Sequence, residues 1–357
     1  MFDQFVGTKP VEERHRFDVA RLEAYLHASI EGFRGPLTLE QFKGGQSNPT
    51  YRLEAGGRTY ALRRKPPGRL LPSAHAVDRE YRVIKALHAV GFPVAKPYCL
   101  CEDDAVIGTA FYVMDCVEGR VIWDQALPGM QKAERFAIYD EMNRVIALLH
   151  SIDYRAVGLE GFGKPGSYLE RQIGRWTKQY LASETQKIEA MDNLIAWLPK
   201  NIPPGDETTV VHGDFRLDNT VFHPTEPKIL AVLDWELSTL GHPLADFAYH
   251  CMAWHIPPGQ FRGIAGLDFA ALGIPDEAQY VEMYCRRTGR DGVARGVWEF
   301  YMAYNLFRIA AILQGIAKRV VDGTAASVHA RDAGSRAPMM ATLGWQQAEK
   351  ILARGAG

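Results

Sequence analysis

A chain of 357 residues is long enough for about two domains and a core burying roughly three quarters of its unfolded surface, so it needs neither disulfides nor metals for stability. Its 41 Lys and Arg against 42 Asp and Glu give a net charge of −1, which argues against a nucleic-acid or anionic-membrane partner recruited by bulk charge. With 47% hydrophobic and 23% charged residues, the composition excludes a disordered, collagenous or fibrous chain.

Arg16 to Ile30 places Phe17, Val19, Leu22, Tyr25 and Leu26 at helical spacing, an opening amphipathic helix. β-like runs follow at Leu37 to Lys43, Thr50 to Ala55 and Arg58 to Arg63, the last two joined by the hairpin signal Gly56-Gly57. Ser73 to Val90 turns helical and is stopped by Gly91 and Pro93. Runs around Tyr98 to Cys101 and Ala110 to Val117 complete a small antiparallel sheet with one helix.

Beyond Glu118-Gly119 helical patterns dominate: Met130 to Ser151, Ser167 to Ala182, Thr185 to Leu198, Pro243 to Trp254, Asp276 to Thr288, Val297 to Val321 and Ala337 to Ala353. β-like pieces interrupt them only between Thr208 and Asp234. The expected organisation is a β-rich lobe over residues 1–117 and a mainly helical lobe over 118–357, an α+β class, with a ligand cleft between them.

Met1 to Pro10 lacks the apolar stretch of a secretory leader, and no apolar run approaches the roughly eighteen residues of a membrane span. The carboxyl end shows no prenylation box or peroxisomal tripeptide. Five cysteines, Cys99, Cys101, Cys116, Cys251 and Cys285, are odd in number and lack paired C-x-x-C spacing, which fits a reducing, cytoplasmic setting rather than a disulfide framework or zinc site.

The chemistry concentrates in His212-Gly-Asp214-Phe-Arg216-Leu-Asp-Asn219 and in Ile229-Leu-Ala-Val-Leu-Asp234-Trp235-Glu236. Apolar runs precede Gly213-Asp214 and Asp234, so both aspartates sit where buried strands emerge into loops, where a rigid frame can aim them at a ligand. Asp214 and Asn219 are spaced as in the protein-kinase catalytic loop H-R-D-x-x-x-x-N, with Gly213 in place of Arg. Phosphoryl transfer from ATP is mostly positioning and charge neutralisation: one carboxylate accepts the acceptor's hydroxyl proton while an Asp and an Asn oxygen hold Mg²⁺ against the phosphates. Asp214, as base, with Asn219 and Asp234 as metal ligands, supplies that set. Each alone also reads as a turn or helix cap.

His212 to Asn219, Val232-Leu-Asp-Trp-Glu236 and Gly241-His-Pro-Leu-Ala-Asp246 together resemble the aminoglycoside phosphotransferase and choline-kinase-like branch of the kinase fold. Phe42-Lys-Gly-Gly-Gln-Ser-Asn48, Leu62-Arg-Arg-Lys-Pro-Pro-Gly68 and Leu71-Pro-Ser-Ala-His-Ala-Val-Asp-Arg-Glu-Tyr81 bring the likeness closer to the kinase-like domain that precedes the dehydrogenase in acyl-CoA dehydrogenase family members ten and eleven. The resemblance implies a two-lobed protein-kinase-like fold and ATP- and Mg²⁺-dependent phosphorylation of a small-molecule hydroxyl, with a 4-hydroxyacyl-CoA-like acceptor leading. An aminoglycoside kinase and a nucleotide-binding pseudokinase are the alternatives. It implies no flavin and no dehydrogenase activity, because the kinase-like domain already occupies the chain.

The remaining site residues divide between nucleotide and acceptor. Gly44, Gly45, Gln46, Ser47 and Asn48 lie between two β-like runs, where glycines let backbone N–H groups approach phosphate oxygens; a plain hairpin turn is the other reading. Period two puts Ala61 and Arg63 on one strand face, a small residue to roof adenine and a cation for the phosphates, with Arg64 and Lys65 as competing cations. The resemblance makes Glu80 the cation's orienter, and Met114 and Cys116 mark, by position only, the backbone that would hydrogen-bond adenine. It makes His212 and Asp246 braces of the catalytic loop. His242, His250 and His255 lack a metal-protease pattern. Arg216, Trp235, Tyr304 and Arg308 are acceptor-site candidates, the last two sharing a helix face with Tyr301 and Asn305; core packing or a buried ion pair explains that face as well.

Overall fold

The structure, a computed structural model, describes residues 7–43, 48–67, 75–324 and 330–355. The expected glycine turn at Gly44, Gly45, Gln46 and Ser47 lies outside the described residues. The chain divides into two compact units, Met1–Trp123 with Tyr154–Phe162 and Asp218–Ser238, and Asp124–Asp153 with Gly163–Leu217 and Thr239–Gly357.

The strands are β1 (Thr8–Lys9), β2 (Thr38–Phe42), β3 (Thr50–Ala55), β4 (Arg58–Arg64), β5 (Pro97–Cys101), β6 (Phe111–Asp115), β7 (Thr209–Val211), β8 (Thr220–Phe222), β9 (Ile229–Val232) and β10 (Thr239–Gly241). The longer helices are α1 (Val19–Ser29), α2 (Val77–Ala89), α3 (Lys132–Ser151), α4 (Tyr168–Ser183), α5 (Glu189–Trp197), α6 (Pro243–Cys251), α7 (Glu277–Thr288), α8 (Arg295–Val321) and α9 (Ala337–Gly355).

In the first unit six antiparallel strands run in the order β1-β2-β3-β4-β6-β5. Gly56 and Gly57 both hold positive φ, 57° and 74°, the two-residue turn that sets the β3–β4 register. Helix α1 starts where the Asp18 carboxylate accepts the Arg21 N–H at 3.0 Å, an N-cap. It buries Leu22 and Leu26 against Tyr51, Leu53, Tyr60 and Phe111, each apolar side chain worth roughly 1.5–3 kcal/mol.

Helix α2 buries Val77, Glu80, Val83, Ile84 and Leu87, a single stripe that carries a carboxylate among aliphatics. Two arginines on the same helix grip the chain's later return: Arg79 donates to the carbonyls of Phe162 (2.6 Å) and Ser238 (3.4 Å), and Arg82 to those of Gly158 (3.0 Å) and Glu160 (2.6 Å).

The β8–β9 hairpin also belongs to the first unit. The sequence suggests one cut after residue 117, but Arg120 and Phe222 exchange two backbone hydrogen bonds of 2.8 Å, which ties residues 218–238 back to the sheet's exit strand. Gly119 makes this closure possible: a Cβ there would stand 2.2 Å from the Phe222 carbonyl oxygen and 2.6 Å from Val221 Cγ1. Gly119→Ala is therefore expected to destabilise the protein by about 2–4 kcal/mol, overpacking plus strained bridge bonds; urea unfolding followed by tryptophan fluorescence checks it.

In the second unit α8 lies against α9, α4 and α6 and is buried on every face from Phe300 to Ala311, so its length is set by packing rather than amphipathicity. Strand β10 pairs antiparallel with β7, Thr239 opposite Val211. This strand falls outside the interval Thr208 to Asp234 where the sequence places the late β structure, and corrects it. Three residues show no periodicity; the pairing is tertiary. Among the described residues no helix is long and apolar enough to cross a membrane.

Candidate functional site

A cavity of about 610 Å³ in the first unit is lined by Ala61, Arg63, Met114, Cys116, Asn219 and Asp234, among others. The β4–β6 register sets Ala61 opposite Met114 and Arg63 opposite Tyr112, and strand alternation turns Ala61 and Arg63 to the cavity. Arg64 goes the other way, its guanidinium bonded to the Ile107 carbonyl at 3.3 Å and 5.1 Å from the Phe17 ring centre. Of the cations left open by the sequence, Arg63 is thus the one that the strand presents.

Its guanidinium bridges two carboxylates, Nε 2.8 Å from Glu80 Oε2 and Nη2 2.7 Å from Asp234 Oδ1, with Glu236 3.4 Å away. Glu80, 1% exposed, also accepts from Asn48 Nδ2 at 2.8 Å and the Tyr112 hydroxyl at 3.1 Å. Burial pushes its pKa up, against the pull of Arg63 and these two donors. For Arg63 burial works to release the proton, but Glu80 and Asp234 overcome it and raise the pKa. The two form a buried ion pair whose carboxylate is hydrogen-bonded by Asn48 and Tyr112, the form in which loss of one partner is costly.

Asp234 ends the run after β9 with φ 63° and ψ 60°, a left-handed conformation in a non-glycine residue, uncommon outside constrained sites. Its side chain is 34% exposed. Asn219 is buried at the start of β8, its carbonyl accepting from Leu233 N–H at 2.8 Å. One carboxylate and one carboxamide oxygen suit Mg²⁺, which takes one or two protein oxygens beside phosphates and water; among the described residues no three His, Cys, Asp or Glu side chains gather around a metal-sized space. Trp235, an acceptor candidate, is buried in this unit, donating to the Val232 carbonyl at 2.9 Å and standing edge-on to Phe92.

The second unit holds Asp214. The Asp246 carboxylate of α6 accepts the backbone N–H groups of His212 and Gly213, both at 2.7 Å, and meets His150 Nε2 at 3.2 Å. Burial acts to raise Asp246, but the His150 hydrogen bond and charge, with His212, hold it below the usual carboxylate range. His212 Nδ1 accepts the Asp214 N–H at 3.1 Å. Gly213 stands at φ 83°, which fits a glycine where protein kinases carry Arg.

Both oxygens of Asp214 are engaged: Oδ1 accepts from the Tyr249 hydroxyl at 2.5 Å and Oδ2 from Arg216 Nη2 at 2.8 Å. Arg308 is buried under this loop, donating to the Gly213 carbonyl at 2.8 Å, its guanidinium 4.9 Å from the Tyr249 ring centre and 5.7 Å from that of Trp176. Tyr304 is 1% exposed. The face expected to receive an acceptor anion is thus turned inward, with Tyr301 on His242 and Asn305 on the Ala245 carbonyl. Tyr249 and His150 went unread in the sequence. Tyr249 was reachable: it follows Asp246 by one helical turn, so both face the same loop.

The three late histidines have separate partners. His242 meets Tyr301, His250 donates or accepts with the Tyr280 hydroxyl at 2.8 Å, and His255 meets Glu277 at 2.6 Å. Burial lowers both His242 and His250 to about 4. Their folded pKa lies below the unfolded value near 6.5, so each contributes stability that is present above pH 6.5 and lost as pH falls toward 4, about 3 kcal/mol apiece at the limit. Urea midpoints are expected to drop between pH 6.5 and 4.5, and His250→Gln to flatten the drop; a pH-independent midpoint would refute the assignment.

Among curated proteins the chain is 47% identical over 347 residues to acyl-CoA dehydrogenase family member 10 of Mus musculus, covering 96% of this chain and 32% of that protein. The chain spans about a third to under a half of the length of the curated relatives it matches. A crystal structure from Ralstonia eutropha, provisionally described as an aminoglycoside phosphotransferase, superposes with a TM-score of 0.87 at 62% identity, covering 94% of this chain and 99% of that one. Choline kinase from Cryptosporidium parvum shares the kinase-like α+β fold at 12% identity, with a TM-score of 0.66 over 95% and 97% of the two chains. Because the model of the phosphotransferase enzyme family matches residues 38–298, which hold Arg63, Glu80, Asp214, Asn219 and Asp234 alike, the chain belongs to that family.

Proposed function

We propose that this chain is a small-molecule kinase transferring the γ-phosphoryl group of Mg-ATP to a hydroxyl of a hydroxyacyl compound, a 4-hydroxyacyl-CoA or its free acid. The observation that carries the reading is Arg63, shared between Glu80 and Asp234 at the wall of a cavity large enough for a nucleotide. In this reading Asn219 and Asp234 hold Mg²⁺, which neutralises charge on the phosphates. Glu80 orients Arg63 toward the α and β phosphates, and Ala61, Met114 and Cys116 border the adenine.

Asp214 accepts the acceptor's hydroxyl proton as the new O–P bond forms and the bond from the γ phosphorus to the bridging oxygen breaks. Tyr249 fixes one carboxylate oxygen and leaves the other to exchange Arg216 for the acceptor. The acyl acceptor is supported by the acyl-CoA dehydrogenase names of the curated relatives. The proposal assigns this chain no flavin and no dehydrogenase step, since the phosphotransferase match fills residues 38–298. Free thiols at all five cysteines, four of them buried, support a reducing, cytoplasmic setting. Aminoglycoside phosphorylation is the second reading, favoured by the description of the Ralstonia structure.

The test is nucleotide turnover with Mg²⁺ against hydroxy acids, their CoA thioesters, aminoglycosides and choline. Stimulation by hydroxyacyl compounds alone supports the proposal, preference for aminoglycosides favours the second reading, and nucleotide binding without any turnover points to a pseudokinase.

A further inference from the structure

Beside Asp214, within the second unit, lies a small cavity of about 20 Å³. That volume admits about one water-sized group, such as a single oxyanion oxygen, and not the body of a molecule. Its wall includes Gln125, Arg216, Tyr249, His250, Phe261 and Arg262, and contains two guanidinium groups and no carboxylate. His250 stays neutral near pH 7, since burial lowers it to about 4. Two of the wall residues, Tyr249 and Arg216, are those that hold the Asp214 oxygens.

Arg262 is delivered there by an unusual corner. Phe261 and Arg262 are consecutive non-glycine residues at φ 35° and 61°, a conformation that costs on the order of 1–3 kcal/mol per residue and persists only where its surroundings fix it. The surroundings do so: Gly263 N–H donates to the Gln260 carbonyl at 2.8 Å, Ile264 N–H to Ala253 at 2.8 Å and Ala265 N–H to Ile256 at 3.0 Å. A Cβ on Gly263 would stand 2.0 Å from the Ile256 oxygen, so the loop is closed on itself. The Arg262 guanidinium rests 5.9 Å from the Phe261 ring centre.

We infer that Arg216 and Arg262 form an oxyanion subsite beside the base, so that the acceptor is an anion whose carboxylate or phosphate is read by these two arginines, and polycationic acceptors are rejected. This rests on the kinase reading of Asp214. Paired guanidinium groups bind oxyanions through charge-assisted, often bidentate hydrogen bonds, and the same two charges repel an aminoglycoside's ammonium groups, which supplies selectivity by repulsion as well as attraction.

The experiment compares 4-hydroxybutyrate with its methyl ester, and its CoA thioester with the pantetheine thioester that lacks the nucleotide phosphates, with kanamycin as the polycation. Wild type, Arg262→Gln and Arg262→Lys are assayed, with thermal unfolding to confirm that each variant is folded. The expected result is a preference of about tenfold to hundredfold for the anionic member of one pair, expressed in KM. The acid–ester pair identifies a carboxylate as the recognised group, the CoA–pantetheine pair a phosphate. Arg262→Gln should erase the preference and Arg262→Lys restore part of it. Transfer that is blind to charge in both pairs, a preference that survives in Arg262→Gln, or kanamycin as the best acceptor would overturn the subsite while leaving the kinase reading intact; no transfer to any acceptor overturns both.

Discussion

Asp214→Asn is expected to lower kcat by about 10²- to 10⁴-fold, the contribution of a positioned general base, with nucleotide affinity unchanged. The substitution is nearly isosteric, and the carboxamide oxygen can still accept from the Tyr249 hydroxyl. What it loses is the ability to take a proton and the charge that pairs with Arg216. The loop should not collapse, because Asp246 holds the N–H groups of His212 and Gly213 and Arg308 holds the Gly213 carbonyl independently of residue 214. Steady-state kinetics beside a nucleotide-binding titration separates the two effects. Wild-type turnover in this variant would remove Asp214 from the chemistry.

Asp234→Asn is the second large effect, a fall of about 10²- to 10³-fold in kcat/KM for Mg-ATP, the usual cost of removing one preorganised electrostatic group. Asn tolerates the left-handed backbone that Asp234 adopts as well as Asp does, so the variant removes charge without adding strain. Arg63 retains Glu80, and unfolding temperature should change little. Asp234→Ala removes the same carboxylate but adds on the order of 1 kcal/mol of backbone strain, so a lower unfolding temperature in Ala than in Asn would separate catalytic from conformational loss. Glu236→Gln is the control, 3.4 Å from Arg63 and expected to alter kcat/KM less than threefold. Equal losses in all three variants would refute a metal-binding role for Asp234.

The first unit was legible where local chemistry decides structure. Gly56-Gly57 fixes a hairpin, and the helical pattern from Ser73 to Val90 marks α2, although the stripe it buries is Val77, Glu80, Val83, Ile84 and Leu87. Period two alone puts Arg63 and Arg64 on opposite faces, and the sheet then shows that Arg63 lines the cavity. Elements made by tertiary pairing were not legible: β10 has three residues, and the return of residues 218–238 to the first unit rests on a bridge between Arg120 and Phe222, far apart in the chain. The proposed catalytic residues stood out because their spacing is local. Their supports did not, since Tyr249 reaches Asp214 across 35 residues and Arg308 reaches Gly213 across 95. For the apolar helix containing Arg308 the sequence left an acceptor face and a buried face open, since it does not show what surrounds an arginine; inside the unit this one has a backbone carbonyl and two aromatic rings.

The four carbonyl contacts of Arg79 and Arg82 give α2 little freedom to pivot. In kinases that are switched, the helix bearing the glutamate is the part that swings away, and the cation loses its orienter until a modification brings it back. Here the chain's own return segments tether that helix on folding, so the Arg63–Glu80 pair is assembled without an activating event. Output from such an enzyme would follow the supply of its two substrates, and cellular control would fall on abundance and metabolite concentration rather than on an on–off signal.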